Sequence, residues 1–336
     1  MKKTNPYFSI IISTYNGSKK IEKCLISIFN QNFPKNKFEV IVVDDGSTDD
    51  ITAKVANYPA NLYHHEVNKG IATARNTGLS KANGKIVICI DDDCVVNQNF
   101  LNKIEKKYKD TNVMGVATNL ITSNNNSLIN KYFSSIWYGV ATPTQKNKKT
   151  ILDRILWYYQ NCPWNSERNG YFDGAVMCDV PAACSSYRKE LLNEIRGWDT
   201  KLINSSEDND LSIRMINKYK GMRIVLCKEA LVTHYQNLSF LRTLTREYKR
   251  CMAKRWFYRK YSLIPVIFPN PLLFLITITI FHNFLGLLIF VPYLLYPWWV
   301  FRFVKEKDIS YLTFPYLQLI QEANSNLSIL YAYIHE

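Results

Sequence analysis

Two rhythms of apolar and polar positions alternate along the N-terminal third of the chain. Largely apolar runs rich in β-branched side chains occupy residues 7–13, 38–43 and 86–90, and such runs read as strands buried on both faces. Residues 61–65 form a shorter strand candidate. Between these runs the apolar residues fall at helical spacing. Ile21, Leu25, Ile28 and Phe29 make one face of a helix expected from about Ser18, a suitable N-cap. Ala72, Ala74, Arg75 and Leu79 mark a second helix, opened by Asn68-Lys69-Gly70. Strand, helix, strand, helix with short links predicts an α/β fold with a mostly parallel central sheet and right-handed crossovers. Farther on, Leu211, Ile213, Met215 and Ile216 mark an amphipathic helix, and residues 230–233 another strand.

The pattern changes after residue 260. Residues 263–281 and 284–301 contain no Asp, Glu, Lys or Arg, and each is about as long as the ~20 residues of a spanning helix. His282-Asn283 makes a polar tip between them, and Arg259, Lys260, Arg302, Lys305 and Lys307 flank the outer ends. That arrangement predicts a transmembrane hairpin with both ends in the cytoplasm. Pro265, Pro269 and Pro271 weaken the first half as a straight helix, so a single span over 272–291 stays open, as does a soluble buried helix pair. Residues 309–334 are apolar at helix-like spacing and are expected to lie against the membrane or the globular part. The expected organisation is a globular domain at 1–240, a basic juxtamembrane segment at 241–262, the hairpin at 263–304 and an amphipathic tail at 305–336.

Apolar residues make up 47% of the 336, enough for a full core. The net charge of +14 is concentrated: between Arg242 and Lys260 stand eight basic residues and one acid, Glu247, half of the total. A basic patch suits nucleic acid, anionic lipid or a diphosphate. Because this one abuts a long apolar tract, lipid headgroups are the expected partner and nucleic acid is not. The 8 cysteines form no Cys-x-x-Cys pair and no zinc spacing with histidine. Cys24, Cys89 and Cys227 lie within apolar runs and read as small buried residues. No signal-type apolar region precedes the first strand, so the globular part is expected in the cytoplasm, with reduced thiols, at the inner or plasma membrane.

The chemistry gathers at strand ends, where open α/β sheets place their ligands. The first strand runs into Thr14-Tyr15-Asn16-Gly17, the second into Asp44-Asp45-Gly46-Ser47-Thr48-Asp49, and the run at 86–90 into Asp91-Asp92-Asp93. On an extended backbone Asp91 and Asp93 point to the same side, which suits an oxygen-preferring divalent ion. A solvated acidic turn is the plainer alternative. No Gly-x-Gly-x-x-Gly follows the first strand and no P-loop motif occurs, which disfavours dinucleotide and P-loop sites. Glu207, Asp208 and Asp210 crowd the start of the amphipathic helix. Helix capping accounts for one such carboxylate well and for three less well, and the crowding is expected to raise a pKa.

Four segments then appear in order: Ser9-Ile-Ile-Ile-Ser-Thr-Tyr-Asn-Gly17, Val42-Val-Asp-Asp-Gly-Ser-Thr-Asp49, Asn68-Lys-Gly-Ile-Ala-Thr-Ala-Arg-Asn-Thr-Gly78 and Ile90-Asp-Asp-Asp-Cys94. Together they resemble the nucleotide-sugar half of the family 2 glycosyltransferases, which have the GT-A fold. The likeness continues through Ala183-Cys-Ser-Ser-Tyr-Arg-Lys-Glu190, Gly197-Trp198-Asp199 and Ser206-Glu-Asp-Asn-Asp-Leu211, and is weaker between Leu120 and Asp173.

The resemblance implies an inverting transferase that moves a single sugar from a nucleotide-diphosphate sugar to a saccharide or lipid-linked saccharide, in cell-envelope polysaccharide or glycan synthesis. Asp91, Asp93 and His234 would hold Mg²⁺ or Mn²⁺ at the diphosphate. Thr14, Tyr15, Asp44, Asp45, Arg75 and Asp92 would face the nucleotide, with Arg255 closing over the diphosphate. Asp208 would be the base, or Glu207 if the register is off by one. Relatives that polymerise carry Gln-x-x-Arg-Trp where this chain has Met252-Ala-Lys-Arg-Trp256; the missing Gln points to one sugar per encounter. The alternative is a catalytically inactive, nucleotide-sugar-binding membrane scaffold.

Overall fold

The computed structural model describes residues 6–123, 128–129, 176–177, 183–202, 205–235, 239–261 and 313–334. The chain divides into two compact units, one of residues 1–123, 138–146 and 171–236, the other of 124–137, 147–170 and 237–336.

The first unit begins β1 (Phe8–Thr14), α1 (Ile21–Phe29), β2 (Phe38–Asp44), α2 (Ile51–Val55), β3 (Asn61–His64), α3 (Ile71–Lys81) and β4 (Ile86–Asp91). It continues β5 (Cys94–Val96), α4 (Phe100–Lys107), β6 (Val113–Thr122), β7 (Val176–Met177), β8 (Cys184–Arg188), α5 (Lys189–Glu194), α6 (Glu207–Lys218) and β9 (Arg223–His234). The strands form one sheet in the order β3-β2-β1-β4-β8-β6-β9-β5, with β7 added to β9. Alternate residues of β1, β2 and β4 face opposite layers. Ile10, Ile12, Val40, Val42, Ile88 and Ile90 pack with Ile21, Leu25 and Ile28 of α1. Ile11, Ile41, Val43, Val87 and Cys89 pack with Ala74, Leu79, Trp198 and Met215. Both faces are covered, which is why these strands read as largely apolar runs.

The sheet is mixed, not mostly parallel. β1–β2, β2–β3, β1–β4 and β6–β9 pair in parallel; β4–β8, β6–β8, β5–β9 and β7–β9 pair antiparallel. The parallel part formed by β1 to β4 comes from strand–helix–strand units, and the antiparallel pairs bring in β5, β7 and β8, which the apolar pattern concealed. Cys184-Ser-Ser-Tyr-Arg188 is too polar to read as buried, yet Ser185 and Ser186 are buried in β8. Their neighbourhood is hydrogen-bonded: the Tyr108 hydroxyl donates to Ser186 Oγ (3.0 Å) and Thr118 Oγ1 to the Cys184 carbonyl (2.9 Å), as buried polar groups require.

Only Asp92 and Asp93 separate β4 from β5, although β5 pairs with β9 at the far end of the strand order. The run β4-β8-β6-β9-β5 therefore curls back on itself, and the acidic triplet lies at the seam. α3 reaches the sheet through Gly78, where an added Cβ would lie 2.4 Å from Ile11 Cγ2. α1 starts at Ile21 rather than Ser18, and the Ser18 amide donates to Asp49 Oδ2 (2.9 Å). Cys24, Cys89, Cys94, Cys184 and Cys227 are buried free thiols.

The second unit contains α7 (Phe240–Lys260), capped by Ser239, which accepts from the Arg242 amide, and α8 (Phe314–Ile334). Asn324 Nδ2 donates to the Leu244 carbonyl (3.0 Å), Arg255 Nη1 to the Ala332 carbonyl (2.7 Å), and the Tyr248 and Tyr331 rings meet at 6.0 Å. These partners advance together along both helices, so the two run in the same direction. Among the described residues no helix is long and apolar enough to cross a membrane. The hairpin expected at 263–304 lies outside the described residues.

Candidate active site

The three aspartates at the seam point three ways. β4 ends at Asp91 and the chain turns over Asp92 and Asp93, so the alternation expected of an extended backbone does not hold here. Asp92 Oδ2 accepts from Thr14 Oγ1 at 2.6 Å, tying the triplet to the end of β1. A Cβ on Gly17 would fall 1.9 Å from that Asp92 oxygen and 2.2 Å from Thr14 Oγ1. The glycine is thus required by a close approach rather than by its backbone angle. Burial pushes the Asp92 carboxyl up to about 6, against the Thr14 hydrogen bond and the charge of Lys20. Asp93 Oδ1 meets His234 Nε2 at 2.9 Å, and its Oδ2 lies 3.6 Å from Lys20 Nζ. Burial alone would raise Asp93, but His234 and Lys20 outweigh it and hold the carboxyl below its ordinary range. Asp91 turns the other way, to Arg75.

Arg75 projects from α3 into the centre of the unit and is only 2% exposed. Its Nη2 lies 3.4 Å from Asp91 Oδ1, while Nη1 donates to Asp208 Oδ1 (2.9 Å) and Glu207 Oε1 (3.2 Å). One guanidinium therefore joins the end of β4 to the start of α6, more than a hundred residues apart. A buried arginine is costly unless its charge is matched. Burial here would lower its pKa, and Asp208, Asp91 and Glu207 instead carry it well above the ordinary value. Glu207 is pushed up to about 8, by burial first and then by the neighbouring Asp208 charge. Asp91 is raised as well, burial exceeding the help from Arg75 and His234.

Asp208 Oδ1 accepts a second bond, from Trp198 Nε1 at 3.2 Å. Trp198 is itself fixed on three sides. Asn76 of α3 exchanges two hydrogen bonds with its backbone (2.8 and 2.9 Å), Tyr187 packs edge-on at 6.1 Å, and the Arg75 guanidinium stands 5.9 Å from its ring centre. Ser206, just before Glu207, has φ 67, a strained conformation for a residue other than glycine. The third acid of the crowd has a different task. Asp210 Oδ2 accepts from Arg214 Nε (2.7 Å), and Arg214 holds the carbonyls of Ile195 and Gly197.

At the neighbouring edge, Asp44 Oδ1 accepts from the Ser47 amide (2.9 Å) and Oδ2 meets His64 Nδ1 (2.7 Å). Asp45 is engaged more fully: Oδ1 meets His65 Nδ1 (2.7 Å) and the Lys69 amide (3.0 Å), and Oδ2 the Gly70 amide (2.8 Å). Asp45 thus anchors the start of α3, where an anion complements the helix dipole, and so contributes to placing Arg75. Asn16 Oδ1 accepts from the Thr48 amide (2.9 Å), which laces the loops after β1 and β2 together. Tyr15 stands beside them, 51% exposed. Arg255 belongs to the second unit, where it reaches the Ala332 carbonyl.

Among the described residues one group could hold a metal ion: Asp93, Cys94 and His234, with ligand atoms within 4.8 Å of one another. The Asp93 carboxylate suits Mg²⁺ or Mn²⁺, and the added His234 imidazole favours Mn²⁺ of the two. The Cys94 thiol donates to the Ala183 carbonyl (3.6 Å), and burial holds its pKa well above the ordinary value, which marks it as a core group. Asp93 and His234 thus come together, whereas Asp91 stands apart on Arg75. Lys20, Asn76 and Trp198 join this cluster without having been expected there. Their roles depend on contacts across the fold, and Gly197-Trp198-Asp199 was the one local signal.

Residues 9–196 match the family described as Glycosyl transferase family 2. Over 300 residues, 85% of this chain and 84% of the relative, the chain is 27% identical to the dolichyl N-acetyl-alpha-D-glucosaminyl phosphate 3-beta-D-2,3-diacetamido-2,3-dideoxy-beta-D-glucuronosyltransferase of Methanococcus voltae. Over 109 residues it is 37% identical to glycosyltransferase AglE of Haloferax volcanii, a match that spans 31% of this chain but only 36% of AglE. Among solved structures it resembles the mannosyltransferase PcManGT of Pyrobaculum calidifontis in complex with GDP-Man and Mn²⁺, with a TM-score of 0.61, 18% identity, and coverage of 96% of this chain and 88% of that one. At that identity the likeness concerns the fold, a GT-A-like α/β arrangement.

Proposed function

The chain belongs to glycosyl transferase family 2, and from that premise we propose that it moves a single sugar from a nucleotide-diphosphate sugar to a hydroxyl of a saccharide or lipid-linked saccharide, with inversion at the anomeric carbon. The observation that carries this reading is the Arg75 bridge. It holds Asp91, beside the Asp93–His234 pair, and the Glu207–Asp208 pair in one buried cluster. A donor-side and an acceptor-side carboxylate must stand this close if a nucleophile is to be deprotonated next to a departing diphosphate.

In this mechanism Thr14, Tyr15 and Asp44 flank the nucleoside at the ends of β1 and β2, and Asp92 is steadied by Thr14. Asp45 acts through α3, as a positioning residue. Asp93 and His234 would hold Mg²⁺ or Mn²⁺, which would supply Lewis-acid stabilisation of the leaving group when bound. Asp208, oriented by Arg75 and Trp198, takes the proton of the acceptor hydroxyl as that oxygen attacks from the face opposite the diphosphate. Glu207 is buried beside the Asp208 charge, and both push its carboxyl up, to about 8. Both transfer to lipid-linked saccharides for the cell envelope and placement of the site on the cytoplasmic side of the inner or plasma membrane belong to this proposal. Support comes from the M. voltae relative, whose name specifies a dolichyl phosphate-linked sugar, and from the apolar stretches at 263–301.

The test is a panel of nucleotide sugars offered to the purified protein with Mn²⁺, scored for binding and for transfer to lipid-linked acceptors. Transfer abolished in Asp208→Asn is the expected result. Binding of a nucleotide sugar without turnover of any acceptor would favour the inactive scaffold instead.

A further inference from the structure

The residue that meets Asp93 opposite His234 is a lysine at the end of the loop that leads into α1. Lys20 occupies the position just before Ile21, with its side chain half exposed and its ammonium 3.6 Å from Asp93 Oδ2. It also acts electrostatically on Asp92. One turn on, Lys23 lies over the ring of Tyr235 at 5.3 Å, and the Tyr235 amide donates to the Asp93 carbonyl at 2.8 Å. The start of α1 therefore presents a movable cation to the same carboxylate that Mn²⁺ or Mg²⁺ would use.

A divalent ion on Asp93 and His234 would stand within a few ångströms of this ammonium, where two cations repel strongly at reduced dielectric. The repulsion is relieved in two ways: the lysine swings out along its flexible stem, or an anion with several oxygens comes between the two charges. A diphosphate is such an anion, and a compact ammonium is well suited to it.

We propose that Lys20 couples metal binding to donor binding. It occupies Asp93 when the donor is absent, and joins the metal ion in clamping the diphosphate when the donor is present. Lys20 then opposes the metal alone and favours metal and diphosphate together. This rests on the reading of the seam as the donor site.

The coupling has opposite signs in its two halves, so one substitution tests it. Free Mn²⁺ is counted by electron paramagnetic resonance, with and without UDP and, in a parallel series, GDP, for wild type, Lys20→Met and Lys20→Arg. Nucleotide affinity without metal is measured by calorimetry. Wild type should bind Mn²⁺ weakly alone and more tightly with nucleotide. Lys20→Met should bind Mn²⁺ alone more tightly and lose about tenfold of the enhancement by nucleotide, within the usual range of coupling between sites. Lys20→Arg should keep both properties of wild type. If Lys20→Met leaves the affinity for Mn²⁺ alone unchanged or weaker, or leaves the nucleotide enhancement intact, Lys20 has no such role. A wild-type protein that binds neither Mn²⁺ nor nucleotide overturns the donor-site reading itself, and this proposal with it. Thermal denaturation of each variant separates loss of coupling from loss of fold.

Discussion

Asp208 and Glu207 are adjacent, share one arginine nitrogen and still differ in chemistry. Asp208 receives Arg75 and Trp198 on a single oxygen, while Glu207 is buried beside that charge. Asp208→Asn keeps the shape and removes the proton acceptor, so turnover should fall by about 10²–10⁴ with nucleotide affinity nearly unchanged, as transfer assays and calorimetry would report. The raised carboxyl of Glu207 has a consequence for stability. A carboxylate whose folded pKa lies above its unfolded value binds more protons folded than unfolded, so stability falls as pH rises between the two. For Glu207 that window runs from its ordinary value of 4.5 to about 8. Wild type should therefore lose melting temperature across the window, and Glu207→Gln should lose less. Equal slopes for the two proteins would mean that Glu207 titrates normally. At this scale the crowding of acids was legible in the chain, but the distinct contacts of each acid were not. Capping, pairing and base chemistry all place acids ahead of an amphipathic helix, and only contacts with Arg214, Arg75 and Trp198 separate Asp210, Glu207 and Asp208.

Helix α3 links the strand ends to the acids of α6. It is drawn against β1 at Gly78, anchored at its start by Asp45, and bonded through Asn76 to Trp198. Gly78→Ala would place a methyl group 2.4 Å from Ile11 Cγ2, an overpacking that should cost about 1–3 kcal/mol, measurable by urea denaturation. Trp198→Phe retains most of the packing against Tyr187 and removes one hydrogen bond to Asp208. Stability should fall by about 1 kcal/mol, and turnover should fall by a larger factor than affinity for the donor. β1, β2, β4 and α3 were legible because residues buried on both sheet faces, or on one helix face, leave a strong local pattern. β8 was hidden, because Ser185 and Ser186 are buried as hydrogen-bonded polar residues and leave no apolar signature.

At the scale of the whole molecule, we propose that the charge and the exposed apolar residues of the second unit serve membrane association. Leu241 is 73% and Trp256 52% exposed on α7, Tyr248 meets Tyr331 of α8 at the surface, and Arg242, Lys249, Arg259 and Lys260 are exposed along α7. Aromatic and basic side chains in such company suit an anionic lipid interface. Together with the apolar stretches at 263–301, they lead us to expect the full chain to stay with membranes after alkaline carbonate extraction; release into the supernatant would count against membrane insertion. The sequence by itself determined the α/β class, the strand ends where polar and acidic residues gather and the family likeness, because each depends on residues close together in the chain. Tertiary structure alone decided that the sheet is mixed and curls back on itself, that the three aspartates diverge, and that Arg75 joins Asp91 to Asp208. Those outcomes depend on which distant segments share one buried space, where every charge must find its partner, and no local pattern of side chains records that pairing.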